Sequence, residues 1–203
     1  MKTFLFIVLV FNSTFLIAQK KKNRFDISSN AEARVLVMKA VGNNMLSKDF
    51  GAFYGFGFGG QLMTPIQFGL SLDYNLLFGD AKYGRENLVG NLGSHQLSNI
   101  DFSIVHRNEI NEDFSIEEFA GISFYRLRST VYPSHQKYTE GLGGFNIGAK
   151  ALYNLDREGI QQFVFGAKGN AYFSGTNNEN KDVQKYYRKS FFLGFTFGYR
   201  YNF

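Results

Sequence analysis

The chain ends in F-F-L-G-F-T-F-G-Y-R-Y-N-F, Phe191 to Phe203, and this stretch decides how the rest is read. Taking every second residue gives Phe191, Leu193, Phe195, Phe197, Tyr199, Tyr201 and Phe203, all apolar or aromatic. The residues between them are Phe192, Gly194, Thr196, Gly198, Arg200 and Asn202, mostly glycine or polar. A period of two is the period of a β-strand, whose side chains point alternately to opposite faces. One face here suits hydrocarbon and the other a narrow, wet interior, which is the pattern of a strand in a membrane barrel wall.

Seven further segments line up with it. Residues 53–62 set Tyr54, Phe56 and Phe58 against Gly55, Gly57 and Gly59, and Thr64-Pro65 then turns the chain. Residues 67–78 set Phe68, Leu70, Leu72, Tyr74, Leu76 and Phe78 against Gly69, Ser71, Asp73, Asn75 and Leu77. Residues 97–107 pair Ile100, Phe102 and Ile104 with Asn99, Asp101, Ser103 and Arg107. Residues 142–153 and 160–173 repeat the pattern around Phe145 and Ile147, then Phe163 and Phe165. Over 114–127 the phase is ambiguous, because Glu117 and Glu118 fall on opposite faces. The first strand, roughly 24–38, is the weakest, with only Val35 and Val37 in clear alternation. Eight strands result, joined alternately by short turns (63–66, 108–113, 154–159) and longer polar loops (39–52, 79–96, 128–141, 174–190). That asymmetry is expected of an outer-membrane barrel, with both termini on the short-turn, periplasmic side.

The bulk composition agrees. A chain of 203 residues suffices for one barrel or sandwich. It carries 24 Phe, 12 Tyr, no Trp and no Cys, so neither a disulfide nor a thiolate metal site is available. Mean hydropathy is only -0.20, and no run approaches the ~20 apolar residues of a membrane helix. Residues 1–18 read as a secretory signal, with Lys2 before the apolar Phe4–Phe11 and Ala18 at the cut. Residues 19–23 follow as a short basic tail, and 24–203 as the barrel. Nucleic acid is not a partner expected of an exported chain.

Alternation alone does not say which face points outward, since a lipocalin-like barrel has the same period. Volume decides. The interior of an eight-stranded barrel is only just filled by side chains, and the apolar face carries far more rings and branched chains than it can hold. The aromatic face is therefore expected to meet lipid, with glycine and small polar residues inside.

The whole mature chain resembles a small eight-stranded outer-membrane barrel of the OmpA/OmpX type, with no peptidoglycan-binding domain expected after Phe203. The resemblance implies an all-β, antiparallel, up-and-down transmembrane barrel. It also implies that Phe195, Phe197, Tyr199, Tyr201 and Phe203 form a C-terminal signal read by the barrel-assembly machinery during insertion. Such barrels serve as adhesins, anchors, enzymes and accessory subunits, so the likeness leaves activity open.

The inward face carries Asp73, Asp101, Glu117, Arg107, Lys150, Lys168 and Arg200. Acids and bases in a narrow lumen must pair, because an isolated buried charge is very costly. A chain of ion pairs linking Arg107, Glu117 and Lys150 is expected, and Asp73 beside Asp101 calls for a cation such as Lys168. His106 is expected on the lipid face. His95, near Ser94 and Ser98, and His135, near Ser134, are expected in external loops, where a Ser–His pair with Glu86 or Glu140 can be drawn. The His-x-Ser strand motif of the outer-membrane lipid A deacylases is missing, and neither a metal-ligand cluster nor a phosphate loop is visible. No catalytic residue, metal or cofactor is expected. Tyr83, Tyr132, Tyr138, Tyr186 and Tyr187 stand among polar loop residues and suit a recognition surface. The expected function is a non-enzymatic barrel that supports the envelope or accompanies a larger outer-membrane assembly. Surface recognition through the loops is the alternative, and lipid hydrolysis a more remote one.

Overall fold

The computed structural model describes residues 27–84, 92–131, 136–174 and 189–203. The expected signal (1–18), the basic tail (19–23) and the start of the barrel at 24 lie outside those residues. Eight strands form: β1 (Ser28–Val41), β2 (Ala52–Met63), β3 (Phe68–Gly79), β4 (Leu92–Glu109), β5 (Phe114–Val131), β6 (Gln136–Asn154), β7 (Gln161–Ser174) and β8 (Lys189–Asn202). A short helix, α1 (Met45–Asp49), lies between β1 and β2. Each strand runs antiparallel to the next, and β8 pairs back onto β1, so the barrel is closed and has no free edge. The amide of Phe203 donates to the Ser29 carbonyl at 2.9 Å, completing the seam.

Several strands outrun their sequence-predicted limits. β4 begins at Leu92 rather than 97, β5 reaches Val131 rather than 127, and β6 begins at Gln136 rather than 142. The ladder there continues through Arg128↔Thr139 and Val131↔Gln136. Residues this far up are polar on both faces, so the period-two hydropathy signal vanishes while the hydrogen bonds continue.

The barrel's proportions follow from the register. From Ala31, the paired residues are Gly60, Leu72, Phe102, Ile122, Phe145, Ala171 and Phe191, and Phe191 pairs with Val41. One circuit thus returns to β1 ten residues from its start, which tilts the strands by roughly 40°. The outer wall is a belt of exposed apolar side chains, including Val35, Phe56, Leu72, Ile104, Phe145 and Phe197. Phe195, Phe197, Tyr199, Tyr201 and Phe203 all stand on this outer face of β8. Inward positions alternate with them, and the phase of β5 is resolved: Glu117 is buried in the lumen and Glu118 points out.

The seam between β1 and β8 requires a residue without a side chain. A Cβ on Gly198 would run into the Ala33 carbonyl oxygen and Cβ of Arg34. Gly143, which faces outward, has open space in front of it. Gly198→Val is therefore expected to abolish the heat-modifiable, folded band on unboiled gels, whereas Gly143→Val keeps it; equal behaviour of the two variants would contradict the seam geometry.

Candidate functional site in the filled lumen

The lumen is built from the inward faces of all eight strands. Its centre is an ion-pair network. Glu32 on β1 accepts from Arg200 and Arg34, both at 2.8 Å, and from Lys150 at 3.0 Å. Glu117 on β5 accepts from both terminal nitrogens of Arg200 at 2.8 Å, from Arg107 at 2.8 Å and from the Gln61 amide at 3.0 Å. Arg200, with 0 % of its side chain exposed, thereby bridges two carboxylates from opposite parts of the wall. Arg34 also reaches Asp73 at 2.7 Å and the Asn75 side-chain oxygen at 3.0 Å. Asp101 is held by Lys168 at 2.8 Å and by the Ser123 hydroxyl at 2.6 Å.

Asp73 and Asp101 are direct register partners, and each has its own cation, Arg34 for the first and Lys168 for the second. Lys150, which lies opposite Glu117 in the ladder, instead turns to Glu32. Glu32 and Arg34 were missed by the sequence reading, although they anchor the network. The signal was present: Asn30, Glu32 and Arg34 alternate with Ala31, Ala33 and Val35, but small outward residues blur the contrast. A cavity of about 20 Å³ remains between Arg34, Asp101, Lys150, Lys168 and Thr196, room for about one water.

Toward the loop end the lumen is apolar, not lined only by glycine and small polar residues as expected. Leu36, Met38, Phe53, Leu77, Leu97, Tyr125, Leu127, Tyr172 and Phe192 form one cluster, capped by Leu46 and Phe50 from the α1 segment. The inward glycines make the space: a Cβ on Gly79 would lie 2.7 Å from the Phe53 ring, and one on Gly148 2.5 Å from Phe119. The cap is pinned by Asn44, whose side chain accepts from the Ser47 amide at 2.9 Å, and by Lys82, whose ammonium donates to the Ser47 and Lys48 carbonyls. At the turn end Met63, Val105, Leu152 and Val164 are also buried.

His95 corrects the sequence reading. It lies on β4 and points inward rather than standing in an external loop, because the β3–β4 strand pair extends to Gly79↔His95. Its Nδ1 is 2.7 Å from the Ser129 hydroxyl, and its ring meets Phe50 edge-on at 4.3 Å. Ser98 is not its partner; that hydroxyl is exposed and bonds the Arg126 carbonyl. A histidine this close to a serine has the geometry of a base and nucleophile, but the residues are 1 % and 2 % exposed under the cap, so no substrate reaches them. Glu140 lies in β6, opposite Leu127; Glu86, Ser134 and His135 lie outside the described residues. His106 faces outward beside Phe68, and its Nδ1 is 4.0 Å from Glu118.

No cluster of three potential metal ligands occurs among the described residues. Of the loop tyrosines, Tyr83 is fully exposed, and Tyr138 belongs to β6 rather than to a loop. Tyr132, Tyr186 and Tyr187 lie outside the described residues.

Removing one partner of a buried pair leaves a charge uncompensated. Glu117→Gln is expected to lower the unfolding free energy of the micelle-refolded barrel by ~3–5 kcal/mol, read by urea titration of the folded gel band. Glu118→Gln, on the outer face of the same strand near its short-turn end, should change it by only ~0–1 kcal/mol. Similar effects would contradict the buried network.

No family model and no curated protein matches this sequence. Solved structures do. The crystal structure of Ail, the attachment invasion locus protein of Yersinia pestis, in complex with the heparin analogue sucrose octasulfate, is 12% identical with a TM-score of 0.54, covering 88% of this chain and 99% of that one. Neisserial surface protein A is 16% identical with a TM-score of 0.55, covering 86% and 97%. OprG of Pseudomonas aeruginosa is 9% identical with a TM-score of 0.54, covering 89% and 97%. At these identities the likeness concerns the fold. The closed antiparallel ring, its apolar outer belt and these neighbours agree: the chain has the fold of the small eight-stranded outer-membrane β-barrels.

Proposed function

We propose that this protein is a non-enzymatic β-barrel of the outer membrane that supports the envelope, or serves as a small subunit beside a larger outer-membrane assembly. The observation that carries this reading is the filled lumen: a salt-bridge network at its centre and an aromatic plug above it. A barrel packed in this way has no solute path and no access to the buried His95–Ser129 pair. Its outer wall and its loops are what remain to meet other molecules. In this reading both termini and the short turns face the periplasm, the longer loops face outward, and lipid covers the belt. The aromatic face of β8 is then the element the assembly machinery engages during insertion.

A second reading, recognition through the loops, has one specific observation behind it. Tyr83 is fully exposed beside Lys82, whose ammonium ties its loop to the α1 segment. An exposed aromatic beside an anchored lysine is a suitable contact residue. The neighbour Ail was solved with a sulfated sugar, which makes a polyanionic sugar a reasonable first probe.

In planar bilayers the purified protein is expected to give no unitary conductance steps; regular steps would overturn the sealed-barrel reading. Mild-detergent purification with mass spectrometry separates the roles. A stoichiometric large partner supports the accessory subunit, and a lone heat-modifiable monomer moves the weight to support of the envelope or to the loops.

A further inference from the structure

We infer that the outer wall of β5 and β6 holds one anionic, phosphate-bearing lipid, with its phosphate on Arg126, Arg128 and Lys137 and an acyl chain in a dent below them. This rests on the membrane reading above and goes beyond it.

The three cations share one face. Arg126 and Arg128 alternate with the buried Tyr125, Leu127 and Ser129, so both point out of the barrel, and both are exposed. Lys137 is exposed too, and lies in the ladder opposite Thr130, one outward position above Arg128. All five lumenal bases make ion pairs. These three have no carboxylate partner among the described residues. Like charges held side by side repel, and arginine offers planar donor pairs that match phosphate oxygens.

Directly below them the wall becomes apolar, through Phe124, Ile122 and Phe145. There it also caves in. An open-sided dent of about 480 Å³ is lined by Ala120, Ile122, Ile147, Gly169, Ala171 and Phe191. The way from dent to cations is clear, because Gly141 and Gly143 face outward with nothing in front of them, and Gly141 is the register partner of Arg126. From Ile122 to Arg126 is four residues, roughly 13 Å of strand, a separation that an acyl chain tied to a headgroup spans. Charge above and a matching recess below select a lipid over a soluble anion, for which the recess has no use. Elsewhere on the rim, Lys39 on β1 stands outward between Val37 and Val41 and serves as a control.

The test uses the full chain refolded in detergent, its folding verified by heat-modifiable migration. Native mass spectrometry then counts retained dimyristoylphosphatidylglycerol against dimyristoylphosphatidylcholine. One phosphatidylglycerol should be retained, with an occupancy about tenfold above that of phosphatidylcholine. The triple variant Arg126→Gln/Arg128→Gln/Lys137→Gln should lose that preference, and Lys39→Gln should keep it. Gly143→Leu, which leaves every charge in place, should also weaken retention by blocking the path. Equal retention of the two lipids by the native protein, or an unchanged preference in the triple variant, would overturn the inference. So would competition by free glycerol phosphate as effective as by the lipid, which would mark a soluble-anion site. If the native chain shows no heat-modifiable folded form, the membrane reading itself fails and the lipid site with it.

Discussion

The interior of an eight-stranded barrel with a ten-residue offset is narrow enough that only side chains fit inside. Everything else in this molecule answers to that width. Phe56, Leu72, Ile104 and Phe197 cannot be accommodated within and form the outer belt. Glycine at Gly55, Gly57 and Gly59 lines one inward face of β2, where a larger residue would strike β3. Two of the rings that turn inward are placed against glycines, Phe53 against Gly79 and Phe119 against Gly148. The same width forces charged residues into contact, since no water column exists to solvate them.

The ion pairs illustrate how such a lumen tolerates charge. Four carboxylates, Glu32, Asp73, Asp101 and Glu117, meet Arg34, Arg107, Lys150, Lys168 and Arg200. Desolvating an ion is expensive, and the cost is recovered only when geometry and hydrogen bonding are good. Here each carboxylate has at least one cation within 3.0 Å, and amide or hydroxyl donors from Gln61, Asn75 and Ser123 take up further lone pairs. Because Arg200 on β8 joins Glu32 on β1 and Glu117 on β5, the network ties the last strand to the first and to the far wall. The apolar plug and the α1 cap then cover its loop side.

How much was legible in the sequence depended on contrast between faces. β3 and β8 alternate large apolar with small or polar residues, so both their phase and their facing are readable. β1 places Ala31 and Ala33 on the outer side, where their small size hides the inward Glu32 and Arg34 and with them the anchor of the network. The upper parts of β4, β5 and β6 rise where both faces are polar, so hydropathy does not extend those strands and leads to a loop position for His95. The aromatic plug was not foreseen because Phe53, Tyr125, Tyr172 and Phe192 are contributed by four separate strands, and only the closed register brings them together. Ion-pair partners such as Lys150 with Glu32 are 118 residues apart, a proximity that strand phase alone does not give.

Methyl-labelled NMR in micelles, with two relaxation agents, tests the central claim of an apolar outside and a sealed inside. A nitroxide in the detergent tails should broaden Leu72, Ile104 and Leu193 and spare Leu36, Leu77 and Leu152, while a soluble gadolinium chelate should leave Leu36, Leu77 and Leu152 sharp. Broadening of Leu77 or Leu152 by the chelate would mean an open lumen, and nitroxide broadening of Leu36 and Leu77 in place of Leu72 would mean that the faces are reversed.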